Sequence, residues 1–236
     1  MKPIVTLIYK VISFKVPTRL LSYAVQNKFH RWLKTGNRRF EFERYYLENP
    51  NPYSYRTSPY EQGKYERTIE TALKFRSGSE CALEVGCSIG VFTKMLANQF
   101  QRVTANDISQ EAIEQAATFN CKNHNIRFVR SDLRSLNLGT RYNVIFCAEV
   151  LYSIREKDAS VVCKKLDQHL DTEGIIITVG PQRRSKQDFF NFEGWDEIFA
   201  SHFKQVSKTV VEDSTRPYEI TVFCRRPSTR AHNVQG

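Results

Sequence analysis

LEVGCSIGVF, residues 83–92, is the stretch on which the fold turns. An apolar run ends at Val85, and Gly86 and Gly90 then bracket Cys87, Ser88 and Ile89. Glycine lets a backbone turn sharply and approach a ligand with no Cβ in the way. A nucleotide loop often carries a third glycine where Ser88 stands, and no phosphate-loop Lys follows. Taken alone, the stretch is a weak glycine-loop signal that an ordinary strand-to-helix turn explains equally well.

Its surroundings say more. Short β-rich runs at 81–85 (CALEV), 102–106 (RVTAN), 126–130 (IRFVR), 143–148 (NVIFCA) and 174–179 (GIIITV) alternate with helical patterns at 91–99, 109–121 and 158–170. Ser109, followed by Glu111 and Glu114, supplies a helix start. Runs at 205–211 and 218–224, separated by DSTRP, read as a terminal hairpin. Upstream, EQGKYERTIETALKFR places Tyr65, Ile69, Ala72 and Leu73 on one helical face, and Ser77-Gly78 ends it. Residues 49–60 (NPNPYSYRTSPY) read as a loop. Strand–helix alternation with apolar strands predicts an α/β fold: a doubly wound, mostly parallel seven-stranded sheet with an antiparallel C-terminal hairpin.

A chain of 236 residues suits one domain with an appendage. Nine of its ten net positive charges fall in residues 1–40, which hold nine Lys/Arg and no acid. The charge therefore describes an arm more than a domain and is only weak evidence for a nucleic-acid enzyme. Within the arm, Leu20, Leu21, Ala24, Val25, Phe29, Trp32 and Leu33 recur at helical spacing after Thr18. Such a basic amphipathic helix either packs on the domain or lies on an anionic membrane surface. An organelle presequence would look similar. The expected organisation is an arm at 1–48, a domain at 49–226 and a disordered tail at 227–236. No apolar run reaches the roughly 20 residues of a membrane span. The six cysteines lack metal-type spacing and the five histidines are scattered, so no metal site is expected and the thiols read as reduced, cytoplasmic ones.

In open α/β sheets, ligands bind outside the carboxyl ends of the strands. Four successive strand ends carry an acid here: Glu84, Asp107, Asp132 (in Ser131-Asp132-Leu133) and Glu149 (in Ala148-Glu149-Val150-Leu151-Tyr152). Asp107 lies 17 positions beyond Gly90, near the spacing of an acid that binds ribose hydroxyls. One such acid is unremarkable, because strand ends are exposed. Four in register around a glycine turn point to a nucleoside ligand that lacks phosphate and carries positive charge.

The order E-x-G-x-x-x-G, a strand ending in Asp, S-D-L and A-E-V-L-Y resembles the class I S-adenosylmethionine-dependent methyltransferases over about residues 58–224. Within them, SPYEQGKYERTIETAL, ALEVGCSIGVFTKMLA and AEVLYSI are similar to the nodulation protein S (NodS) subgroup. The resemblance implies S-adenosylmethionine as cofactor. It places Gly86, Cys87, Ser88 and Gly90 under its methionine part and Glu84 at its ammonium. Asp107 would take both ribose hydroxyls, with Ile108, Ser131, Asp132 and Leu133 around the adenine and Tyr60 closing over the cofactor. Serine departs from the family glycine at position 88, which is harmless unless the backbone there needs φ > 0.

The same resemblance implies N-methylation of a small-molecule or glycan acceptor, such as the free amine of a deacetylated chitooligosaccharide. An amine must lose its proton, and Glu149 is the candidate base, with Tyr152 second; helix capping or cofactor contact is the plainer role for Glu149. The aromatic run FFNFEGW (189–195) could stack on sugar rings or belong to the core. An RNA or protein methyltransferase is the alternative enzyme, and a catalytically silent membrane-binding protein the alternative of another class. NPNPY at 49–53 resembles a base-methyltransferase signature but stands far from the fourth strand, where that signature belongs.

Overall fold

A computed structural model describes residues 38–181, 193–213 and 216–226. The basic helix expected at 18–34, the phenylalanines at 189, 190 and 192 and the tail at 227–236 lie outside these residues. The chain divides into two compact units, Met1–Tyr45 and Tyr46–Gly236. Helix α1 (Arg38–Glu48) is not foreseen in the sequence reading. Its aromatic and charged residues follow no clean apolar stripe, so periodicity does not announce it.

Helix α6 (Glu193–His202) is not foreseen either, and the remaining elements follow the expected alternation. After α1 the chain runs α2 (Pro59–Phe75), β1 (Cys81–Val85), α3 (Val91–Leu96), β2 (Arg102–Asp107), α4 (Gln110–Phe119), β3 (Ile126–Arg130), β4 (Tyr142–Ala148), α5 (Glu156–His169), β5 (Leu170–Pro181), α6 (Glu193–His202), β6 (Phe203–Val211) and β7 (Tyr218–Arg225). Seven strands form one sheet in the order β3-β2-β1-β4-β5-β7-β6. β1 to β5 are parallel, and β7 runs antiparallel to both β5 and β6. This is the doubly wound sheet with a terminal antiparallel hairpin. The pairing of β6 with β7 slips register between Gln205 and Ser207. The strand order reverses between β1 and β4, which opens a crevice beyond their carboxyl ends.

Several boundaries differ from the sequence reading, among them the end of α3 at Leu96, and two have a visible cause. α2 begins at Pro59, inside the stretch read as loop, because Ser58 accepts from the Glu61 N–H at 3.3 Å and Pro59 pre-sets the first helical φ. β5 begins four residues early, directly after α5, where Leu170 pairs with Tyr142 before a register shift. Gly174 makes that irregular start possible: a Cβ there would lie 2.9 Å from the Tyr142 carbonyl oxygen.

The pleat sends alternate β1 residues to opposite faces. Leu83 and Val85 join Ile145, Val162, Leu166, Phe199 and Phe223 in the core beneath α5 and α6. Burial of such side chains contributes about 1.5–3 kcal/mol each. The other face holds an aromatic run in which Tyr65 stacks on Phe92 at 4.8 Å and Phe92 meets Phe146 edge-on at 5.4 Å. Glu84 projects to this second face. Cys81, Cys87, Cys147 and Cys163 are buried and unbridged, Cys224 is half-buried and Cys121 is exposed. Among the described residues no helix is long and apolar enough to cross a membrane, and no group of His, Cys, Asp or Glu is placed to hold a metal.

Candidate functional site

The four strand-end acids share one edge of the sheet. Read in sheet order they are Asp132, Asp107, Glu84 and Glu149, beyond or at the ends of β3, β2, β1 and β4. Neighbouring strands lie about 4.8 Å apart, so the carboxylates line one continuous rim.

The β1 turn is tied down from β2. The N–H groups of Gly86 and Cys87 both donate to the Asn106 carbonyl, at 2.8 and 2.9 Å. Gly86 has φ +72°, and a Cβ there would meet Val150 Cγ2 at 2.5 Å. The β1 turn and the segment after β4 are thus in direct contact, and only glycine fits between them. Ser88 also sits in the left-handed region, at φ +51°. The condition under which serine is costly is therefore met, since this conformation puts a Cβ close to backbone. Ser88 N–H donates to Asp107 Oδ2 at 3.0 Å, while its hydroxyl oxygen is buried with no hydrogen-bond partner among the described residues.

Each acid has its own surroundings. Glu84 is buried and accepts from the Thr93 hydroxyl at 2.5 Å. Burial above all, with a smaller push from Asp107, raises its carboxyl to about 8 despite that hydrogen bond. Asp107 accepts from the Ser88 and Ser109 amides, one on each oxygen, both at 3.0 Å. Ile108 beside it is half-buried. Asn106 Nδ2 donates to the Ser131 carbonyl and hydroxyl at 2.9 and 2.7 Å, which fixes the segment leading to Asp132. Asp132 caps the turn Leu133–Ser135 and is forked by Arg134, whose Nε donates to both carboxylate oxygens at 3.0 and 3.1 Å. That hydrogen bonding holds the Asp132 carboxyl below its ordinary value. The Leu133 side chain is buried. Cys87 is buried too, and burial pushes its thiol well above the ordinary value, so it offers packing rather than a thiolate.

Glu149 also has positive φ, +56°, and its N–H donates to the Val179 carbonyl at 2.9 Å. Its carboxylate is paired with Lys64 Nζ at 2.9 Å. Lys64 is equally close, 2.9 Å, to Glu61 one turn earlier on α2, and Arg216 reaches the other Glu61 oxygen at 3.1 Å. Glu61, Lys64, Thr93, Asn106, Arg134 and Arg216 are absent from the sequence-based list of site residues. The tyrosines differ in role. Tyr65 is buried against Phe92 and belongs to the core. Tyr60 is half-buried, donates to the Arg216 carbonyl at 2.6 Å and lies under the Arg216 guanidinium, 4.3 Å from the ring centre. Tyr152 is half-buried in the turn Leu151–Ser153. Trp195 is 2% exposed and packs on Phe199 at 5.6 Å, which makes it core and removes it from any sugar-stacking surface.

Comparison with known proteins gives three concordant findings. The family profile described as Nodulation protein S (NodS) matches residues 37–208. Nodulation protein S of Azorhizobium caulinodans is 29% identical over 164 residues, which cover 68% of this chain and 78% of the relative. That of Bradyrhizobium diazoefficiens is 33% identical over 106 residues, 45% of this chain; the aligned stretch spans half of that relative's length. The crystal structure of N-methyltransferase NodS from Bradyrhizobium japonicum WM9, in complex with S-adenosyl-L-homocysteine, superposes with a TM-score of 0.71 at 19% identity. The match covers 81% of this chain and all of the other, so the two share a fold.

Proposed function

The chain belongs to the nodulation protein S family, and from that premise we propose that it is an S-adenosylmethionine-dependent N-methyltransferase acting on the amine of a small-molecule or glycan acceptor, an aminosugar oligomer of the chitooligosaccharide kind. The observation that carries the reading is the rim of four carboxylates around the Gly86–Gly90 turn. Acidic walls suit a cationic nucleoside and oppose a pyrophosphate.

The residues present fit that cofactor. Gly86 leaves a cradle no side chain could enter, and the buried Ser88 hydroxyl has hydrogen-bonding capacity that nothing among the described residues uses. Gly86, Cys87, Ser88 and Gly90 would hold the methionine part, with Glu84 facing its ammonium. A cation beside Glu84 offsets the desolvation that now favours the protonated carboxyl. Asp107 would hold the ribose. Hydrogen bonds from the Ser88 and Ser109 amides set the carboxylate in place. Ile108, Ser131, Asp132 and Leu133 would border the adenine. Asp132 would do so with its Arg134 fork in place, which occupies part of its accepting capacity.

The cofactor, when bound, supplies an electrophilic methyl group on sulfonium. The protein's part is to orient the acceptor, exclude water and receive the proton that the acceptor's ammonium gives up, so that the neutral amine can attack. Glu149 lies beside the β1–β4 crevice and is the proposed acceptor-side group, with Tyr152 next to it. The basic residues of 1–40 are proposed to touch an anionic membrane surface while the enzyme acts in the cytoplasm.

Calorimetry with S-adenosyl-L-homocysteine should show binding, and no heat at millimolar ligand would sink the enzyme reading. Methyl-label transfer should mark chitosan oligomers ahead of RNA or protein pools; label in RNA alone would reject the glycan acceptor. Co-sedimentation with anionic liposomes should fall when residues 1–37 are removed.

A further inference from the structure

The run Arg216–Glu61–Lys64–Glu149 alternates in charge and sums to zero, yet a nucleoside site does not require it. Glu61 is 1% exposed and Lys64 3%. Removing charges from water costs more than a surface ion pair returns, so a buried pair is a poor source of stability. Its geometry is the informative part. Lys64 Nζ joins α2 to the residue after β4, 85 positions away. Glu61 holds the ammonium from behind, and Arg216 holds Glu61 from the turn between β6 and β7. The Tyr60 ring flanks Lys64 at 5.2 Å.

Glu149 is therefore gripped twice. Its main chain sits at φ +56° with the N–H bound to Val179, and its carboxylate is bound to Lys64. A non-glycine residue keeps such a backbone only where its surroundings over-determine it. The next residue, Val150, abuts the β1 turn at Gly86, so any shift of Glu149 is felt at the crevice.

We propose that Lys64 is a positioning residue for methyl transfer: anchored by Glu61 and Arg216, it fixes the Glu149 carboxylate at the β1–β4 crevice without itself touching the substrate. The inference rests on the methyltransferase reading above, with Glu149 on the acceptor side. Lysine suits the task because a compact ammonium has three donors to divide between two carboxylates, whereas a planar guanidinium fork favours one.

The test uses the full chain, methyl-labelled S-adenosylmethionine and chitosan oligomers, with S-adenosyl-L-homocysteine calorimetry on every variant. Lys64→Met keeps the packing volume and removes the charge. It should lower kcat by on the order of 100-fold, with a smaller change in acceptor KM, as expected for a displaced catalytic group. S-adenosyl-L-homocysteine affinity should stay within about twofold. Lys64→Arg should recover part of kcat. In a Glu149→Gln background the Lys64→Met loss should nearly vanish, because Lys64 acts through Glu149. Should Lys64→Met not fold, Glu61→Gln reads the same coupling: it keeps the ammonium, loosens its anchor, and should lower kcat less. Unchanged kcat in folded Lys64→Met or Glu61→Gln, or equal losses in both Glu149 backgrounds, would overturn the inference. A wild-type chain that binds no S-adenosyl-L-homocysteine and labels no acceptor would overturn the methyltransferase reading instead.

Discussion

The turn after β1 and the contact between α2 and the end of β4 face each other across one crevice and are built on opposite terms. At the turn, Glu84 is met by a hydroxyl and pushed toward its neutral form, Ser88 carries a buried hydroxyl with no partner among the described residues, and the backbone is left-handed at three of five positions. Across the crevice, Glu149, Lys64, Glu61 and Arg216 are paired in charge, although Glu61 Oε2 takes no hydrogen bond among the described residues. The first region leaves its acid uncompensated by a cation; the second balances every charge within the protein. A cationic ligand therefore adds its largest share of charge compensation at β1, while the acids of the acceptor side already have theirs from Lys64 and Arg216.

That contrast breaks most visibly at Lys64. Lys64→Met strands the Glu149 carboxylate and leaves buried Glu61 with Arg216 alone, and should destabilise the protein by about 3 kcal/mol in chemical denaturation. A loss below about 1 kcal/mol would show that water screens the network and that the second region is not self-contained.

Gly86→Ala comes next. Its Cβ would stand 2.5 Å from Val150 Cγ2 at φ +72°, so overpacking and left-handed strain together should cost about 2–4 kcal/mol, read the same way. A tolerated alanine would mean that the two regions do not touch.

Glu84→Gln should separate stability from binding. A carboxyl raised from 4.5 to about 8 binds its proton more tightly in the folded state. Its contribution to stability therefore falls as pH rises through that window. The variant should lack this slope and exceed wild type by on the order of 2 kcal/mol at pH 8. Its affinity for S-adenosylmethionine should move oppositely, down about tenfold. Stability and affinity that fall together would show that Glu84 is structural.

Ser88→Gly should have the smallest effect. Relief of left-handed strain, partly offset by glycine's greater freedom when unfolded, should add up to about 1 kcal/mol, with cofactor affinity intact or improved. A large affinity loss would mean that the Ser88 hydroxyl itself grips the ligand.

The two regions were not equally legible. Glu84, Asp107, Asp132 and Glu149 stand at strand ends, and strand ends follow from apolar runs and turns, so the sequence places them without tertiary knowledge. Glu61 and Lys64 form an i,i+3 pair on a helix, a pattern that normally marks a solvated face. Only the arrival of Arg216, 155 positions later, together with Glu149 makes it an interior one. Ser58-x-x-Glu61 misleads further: it reads as a capping box, and Ser58 does cap, but the Glu61 side chain turns to Lys64 and Arg216. The left-handed backbone at Ser88 and Glu149 is equally silent, because neither residue type advertises positive φ. FFNFEGW was ambiguous between surface and core for a similar reason, and the packing of Trp195 on Phe199 decides that residue for the core.

The register slip between β6 and β7 has a consequence for how copies of this chain behave at high concentration. β6 ends the sheet, and a bare outer strand is a template on which a second chain can add by backbone pairing. Val206 and Val210 on it are 45% and 41% exposed, an invitation to such growth. The slip at Gln205/Ser207 coils the strand away from a straight ladder, and Lys204 and Lys208 would have to be stripped of water before another strand could dock. Lys208 is further held by Glu219 at 2.7 Å, on β7, so its charge stays at the rim. The strand that closes the sheet thereby also guards it against polymerising.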